Sequence, residues 1–438
     1  MTGGLPDHHP QRFAMMNELH ARPFMSVGAP GRALVIALKS GKNAQERDPE
    51  IDRAHLIDFI DRHGGPHPAP GASHYLGAFG RFAMKWERHT EFVSYMLVEP
   101  GQGETLFDGT LADHFPAEWL SAAPGHLVAA IEVEVLRVAD RAAAEAMLTG
   151  PLQREFNVES LASTVTLDDG ALAVGDFRIH EGGFSRFALV VYEPIGERRI
   201  GRALQRLVEI ENYRALSMLA LPIARETALR LNQIDRELSD LIARVANREA
   251  KTAEQEILDA LTALSAEIEA MAARTAYRFG AARAYEAIVH ERIAMMREER
   301  LLGRQLFSEF MRRRFDPAMR TIRATEERLI GLATRAGRIA DLLRTRVDVA
   351  LQAQNQELLT SMDKRAALQL RLQQTVEGLS VVAISYYAVS LSAYVLAPVT
   401  KYLPVSREAL VALVAVPIVF GVALFVRRIR RGVEDAAR

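Results

Sequence analysis

Two short runs hold the side chains best suited to chemistry. Asn17-Glu18-Leu19-His20-Ala21-Arg22-Pro23-Phe24 precedes the first strand-like run, and Lys85-Trp86-Glu87-Arg88-His89-Thr90-Glu91-Phe92 surrounds a strand-to-strand turn. A guanidinium grips a carboxylate or phosphate through paired N–H donors, and a neighbouring imidazole titrates close to neutral pH. His20 and Arg22, with Glu87, Arg88 and His89, therefore form either an anion site or an ion-pair network tying the N-terminal arm to the sheet. The network is the plainer account, because charged residues at a hairpin tip are usually paired or solvated.

Eleven of the twelve histidines lie before residue 181. His63 and His67 bracket a Gly-Gly-Pro turn, and His55 lies two helical turns before His63. Two or three imidazoles at such spacing can bind a transition metal, but surface histidines in a polar loop explain them as well, so no metal or other cofactor is assigned. Common enzyme signatures are missing. No Gly-rich loop runs into Lys-Ser/Thr, and Gly77-Ala78-Phe79-Gly80 lacks the third glycine of a dinucleotide fingerprint. His290-Glu291 has no second histidine at metalloprotease spacing, and no Gly-x-Ser-x-Gly elbow occurs. The absence of cysteine excludes disulfides, thiolate metal sites and thiol nucleophiles, and fits a reducing compartment. Net charge is −1, which gives no electrostatic case for nucleic acid. Arginines number 48 against six lysines. That bias is read here as the mark of a GC-rich genome and not as phosphate binding.

The elements that must position these residues change character along the chain. Residues 1–195 read as an α+β domain with a mixed or antiparallel sheet. Arg32–Leu38 is a strand, Asp52–His63 a helix, and His74–Glu87 with Thr90–Val98 an antiparallel pair. Leu127–Val138 is a strand and Asp140–Leu148 a short helix. Ser163–Leu167 and Ala171–Arg178 flank the turn Asp168-Asp169-Gly170, and Phe184–Tyr192 adds a further strand.

Residues 196–377 read as an all-α stalk, coiled-coil-like in pattern. Leu231, Ile234, Leu238, Leu241 and Val245 recur at spacings of three and four; Ile257, Leu261, Leu264, Ile268 and Met271 repeat the pattern in a shifted phase. A helical hairpin turning within Ala246–Glu256 accounts for the shift, as does one helix with an insertion in its repeat. Asp316-Pro317 has the form of an N-cap and first helical residue, and no proline follows until Pro398. A helix from Pro317 to Ala397 would be about 120 Å long.

Residues 378–426 read as a transmembrane hairpin. Two uncharged runs, 378–397 and 409–426, are each close to the length a bilayer core requires. Arg427, Arg428, Arg430 and Arg431 follow in a basic tail, 427–438, that favours the cytoplasmic side and would place both termini there. Nothing near Met1 has the form of a secretory signal. Gly378, Ser385 and Ser392 recur every seven residues on the first span, a small and polar stripe suited to an oligomer contact or a pore lining.

Three motifs, Leu19–Phe24, Trp86–Phe92 and Val376–Tyr387, resemble a bacterial family of membrane-anchored proteins of unknown biochemistry, domain of unknown function 3422. The resemblance spans essentially the whole chain and implies a membrane anchor, with no catalytic residue to carry over. The order of parts is also similar to the CorA-type magnesium channel superfamily, whose members are homopentamers with the first span lining the pore. That superfamily has Gly-Met-Asn after the pore helix, whereas this chain has Ala397-Pro398-Val399-Thr400-Lys401-Tyr402-Leu403-Pro404. The expectation is a non-enzymatic homo-oligomer of the bacterial inner membrane, partnered by the bilayer and not by nucleic acid. A CorA-like cation channel and a membrane-tethered enzyme are the alternatives.

Overall fold

The strand Gly31–Lys39 (β1) is apolar on both sides of its pleat, which dictates how the surrounding layers are arranged. Ala33, Val35 and Ala37 join one buried cluster, while Leu34, Ile36 and Leu38 join another. Successive side chains on a strand point to opposite faces, so such a run belongs inside a sheet covered on both sides. A computed structural model describes residues 7–18, 24–41, 47–246, 251–398 and 406–436 of the chain. In it β1 is an inner strand of an eight-stranded sheet.

The other strands are β2 (His74–Phe79), β3 (Phe82–Arg88), β4 (Phe92–Pro100), β5 (His126–Arg137), β6 (Ala162–Thr166), β7 (Ala171–Ile179) and β8 (Ser185–Val191). Their order is β2-β3-β4-β1-β5-β8-β7-β6. Every pairing is antiparallel except β5 with β8, so the sheet is mixed. The run expected as one strand, His74–Glu87, is itself a hairpin. It turns at Gly80, whose φ of 61° lies in the left-handed region that glycine enters without penalty.

Short helices cover one face. After α1 (Arg12–Glu18), α2 (Pro49–His63) is capped by Asp48, which accepts from the Glu50 amide at 3.0 Å, and stops at left-handed Gly64. With α3 (Ala117–Ser121) it buries Leu56, Phe59, Ile60 and Trp119 over the β1–β4 half. Helices α4 (Arg141–Thr149) and α5 (Pro151–Glu155) bury Leu148 and Leu152 over the other half.

The opposite face is covered from the helical part of the chain. Helices α6 (Glu197–Met218), α7 (Ala220–Ala246) and α8 (Lys251–Met296) share a core with the sheet, joined by Phe307, Phe315, Met319 and Ile322. Gly201 lets the N-terminal arm cross α6 closely, since a Cβ there would lie 1.8 Å from the Met25 carbonyl oxygen. The stripes expected on α7 and α8 are buried from Leu231 to Leu241 and from Ile257 to Met271, with Val245 half-buried. The two helices contact each other, and the residues joining them, 247–250, lie outside the described ones.

Segment 297–306 is not helical. It runs beside the β6 edge, where Ser163 and Val165 donate amide protons to Gln305 and Glu299 carbonyls, each at 2.9 Å. An otherwise open sheet edge is thereby satisfied.

The long helix begins ten residues before Pro317, the start expected from sequence. Phe307–Phe310 (α9), a π-turn at Met311–Phe315 and Asp316–Leu396 (α10) form one uninterrupted helix. Its first amides are satisfied by carboxylates: Glu298 accepts from Phe307 at 2.8 Å and Ser308 at 3.1 Å, and Glu309 accepts from Leu306 at 3.1 Å. Asp316 is already helical, with φ −58° and ψ −36°. Proline lacks an amide proton and crowds the preceding turn, and the wide π-turn just before it accommodates both defects.

Contact density divides the chain into residues 1–340 and 341–438. Within the first unit the start of α10 buries Leu329, Leu332 and Ala336, and Arg335 contacts Asp235 of α7 at 2.5 Å. The second unit contains the rest of α10 and α11 (Arg407–Ala436). A small apolar gap lined by Val389, Ser392 and Ala393 on α10 and Leu410, Val411 and Val414 on α11 marks where these two helices meet.

Candidate functional site

The turn expected to carry charge chemistry is tied into the fold by its side chains. Trp86 and Phe92 are fully buried anchors, and the His89 ring stacks on Phe92 with centroids 4.1 Å apart. Glu87 contacts the Lys85 ammonium at 3.1 Å, and the Arg88 guanidinium reaches the Pro49 carbonyl at 3.5 Å. Glu91, two residues beyond His89, is buried and accepts both terminal nitrogens of Arg278 on α8 at 2.8 Å. Tyr285 joins the pair; burial first, and its hydrogen bond to Glu91 second, raise its pKa. His20 and Arg22 lie outside the described residues.

A second charged cluster escaped the sequence reading. Arg199, Arg202 and Arg206 follow at spacings of three and four on α6, so they share one face. That face meets Met295 and Met296 at the end of α8, Arg297 just past it, and Thr166, Leu167 and Asp168 at the β6–β7 turn. Together they line a cavity of about 200 Å³. Asp168 contacts Arg199 at 2.7 Å and Arg297 at 3.3 Å. Arg202 and Arg206 are half-buried and form no ion pair among the described residues. Burial, followed by the charges of Arg202, Arg292 and Arg297, lowers the pKa of Arg206; Glu209 opposes the shift.

The turn that presents Asp168 is strained. Leu167, Asp168 and Asp169 have φ of 57°, 57° and 60°, and Arg297 has 49°. A left-handed backbone costs a non-glycine residue roughly 1–2 kcal/mol. Asp169 is held by Arg141 and by the Tyr192 hydroxyl, each at 2.8 Å. The clue in the sequence was four arginines within nine residues, Arg198 to Arg206. The arginine excess of the whole chain hid it.

A model of the family described as protein of unknown function (DUF3422) matches residues 7–433. The chain belongs to this family. No curated protein matches it.

The other residues singled out in this DUF3422 chain are placed as follows. His63 engages the Phe59 carbonyl at 2.9 Å, and His67 engages Asp61 at 2.5 Å. His55 is buried, with Nε2 at 3.0 Å from the Trp119 carbonyl and Nδ1 at 2.8 Å from the Tyr95 hydroxyl. The carbonyl requires a proton on Nε2, which leaves Nδ1 to accept from the tyrosine; burial lowers the ring's pKa and keeps it neutral. Among the described residues no group of three or more side chains could hold a metal ion.

Ser385 is buried and Ser392 half-buried, with Ser392 at the gap facing α11; Gly378 is exposed. Arg427 and Arg428 are exposed on α11, whose helix extends through Arg430 and Arg431.

Within the sheet, Arg32 bridges Glu99 at 2.5 Å and Asp108 at 2.9 Å. Nearby Glu134 is buried. One of its oxygens accepts from the Phe107 amide at 3.1 Å, while the other has no hydrogen-bond partner. Burial pushes its carboxyl up to about 7.

Proposed function

We propose that this DUF3422 protein is a non-enzymatic, membrane-anchored homo-oligomer of the bacterial inner membrane, with residues 1–340 and both termini in the cytoplasm. The observation that carries the reading is the unsatisfied apolar surface of the second unit. Leu379, Val382, Tyr386, Tyr387, Leu391 and Val395 of α10 are exposed, as are Leu413, Val416, Phe420 and Phe425 of α11. Both helices contain windows long and apolar enough to cross a membrane. Lipid is the cover such surfaces require, and the arginines from Arg427 onward favour the cytoplasmic side.

The oligomer part rests on the charged stretch of α10 that precedes the apolar run. Leu351, Leu358 and Leu372 fall on one heptad repeat, interrupted once by Arg365, and all three leucines are more than half exposed. Three such leucines on one face of a helix are the seam of a coiled coil awaiting its second strand. The seam is assigned to them because Ser392 already faces α11 and Ser385 is buried.

Alkaline carbonate extraction of membranes tests the anchor: the full chain is expected to stay in the pellet, and its release would overturn the reading. Because the chain lacks cysteine, one introduced thiol reports on the seam. Leu358→Cys is expected to give an oxidant-dependent dimer, while Gln356→Cys, on the opposite side of the helix, is not. A monomer by light scattering in detergent, with no cross-link from Leu358→Cys, would remove the oligomer. A pentamer conducting cations in proteoliposomes would instead support the CorA-like channel.

A further inference from the structure

We propose that the cavity between α6, the end of α8 and the β6–β7 turn binds a phosphate group, either free or on a small phosphorylated compound. Four arginines line it against one aspartate, an excess of three positive charges. Folding that brings like charges together costs free energy, which an anion in the cavity returns. Asp168 occupies two of the four, Arg199 and Arg297, and orients them. Arg202 and Arg206 remain half-buried with no ion-pair contact among the described residues. Two guanidinium forks one helical turn apart on a single face suit a tetrahedral, doubly charged oxyanion better than a flat, singly charged carboxylate.

Beside the cavity, Arg292 pairs with Glu209 and Glu291, and Glu209 also acts on Arg206, yet burial and the charges of Arg202, Arg292 and Arg297 outweigh it. Drug-sized ligands fill pockets of roughly 300–1,000 Å³. The 200 Å³ here suits a phosphate bearing at most a small organic part, with Leu167, Met295 and Met296 as its apolar wall. Leu167, Asp168 and Arg297, three residues that line this cavity, all have left-handed backbones, as expected where the backbone is held to present a site.

Calorimetric titration of the full chain in detergent with inorganic phosphate and with pyrophosphate tests the proposal. Saturable heat and a raised unfolding temperature are expected, because a ligand that binds only the folded state stabilises it. Arg202→Gln with Arg206→Gln should weaken binding by about tenfold or more. Without ligand, the same variant should unfold at a higher temperature than the wild type. Arg297→Gln, at an exposed position, should weaken binding several-fold and guards against a double variant that fails to fold. No saturable heat with either anion, or unchanged binding in both variants, would overturn the proposal. A short-chain, water-soluble phosphatidylglycerol that displaces pyrophosphate, where phosphatidylcholine does not, would identify a lipid headgroup as the source. Failure of both to displace it would identify a soluble phosphorylated compound.

Discussion

Leu261 and Leu358 are both leucines on long helices with apolar residues at heptad spacing, yet the first is fully buried and the second is 56% exposed. Leu261 lies on the buried stripe of α8, a helix that contacts α7 and its matching stripe. Leu358 lies on the part of α10 that belongs to the second unit, where nearly every side chain from Val349 to Val376 is open. Amphipathic spacing states that a helix has an apolar face. It does not state whether the chain itself supplies the cover.

The largest effect is expected at the buried ion pair. Arg278→Ala leaves Glu91 buried without its partner and should cost about 3–5 kcal/mol, measured by denaturant unfolding of the first unit. A loss below 1 kcal/mol would mean that Glu91 reaches water.

Leu261→Ala should cost roughly 2–5 kcal/mol through lost burial and a cavity. Leu358→Ala should leave that unfolding transition in place and instead reduce self-association by light scattering. Equal effects on unfolding would erase the distinction between the two leucines.

Glu134 adds a pH dependence that belongs to the first unit alone. Its folded-state pKa is raised from 4.5 to about 7, so between these values the folded state holds a proton that the unfolded state has released. Its contribution to stability is complete below pH 4.5, falls as pH rises to about 7, and is lost above, in total by about 3 kcal/mol. Glu134→Gln should therefore flatten the dependence of unfolding temperature on pH and stabilise the protein at pH 8. An unchanged profile would show that the carboxyl is solvated.

The smallest effect is expected at a cap. Asp140 accepts from the Ala143 amide at 2.8 Å, and Asp140→Ala should cost about 1 kcal/mol by thermal unfolding.

Most strands and helices were legible because their periodicities are local. β1, α2, β5, α4 and the β6–β7 hairpin follow from alternation, caps and turn residues within a few positions. The β2–β3 turn was missed because Gly80-Arg81 interrupts a run whose two arms have similar composition. The start of the long helix was misplaced because Asp316-Pro317 is a strong local signal, whereas the true cap relies in part on Glu298, which lies nine residues before the first helical residue, Phe307. Of the candidate site, Glu87, Arg88 and His89 were identified with their motif, but the partner that anchors its Glu91 comes from 187 positions away.

Taken alone, the sequence determined an α+β domain with a mixed or antiparallel sheet, the paired stripes of α7 and α8, and two apolar runs near the C-terminus, since each is written in spacing between near neighbours. Only the tertiary structure decided which stripes are covered within the chain. It alone brought Asp168 and Arg297 to the arginine face of α6. Charges separated by 129 positions meet only after the sheet and helices have packed, and no local pattern encodes that distance.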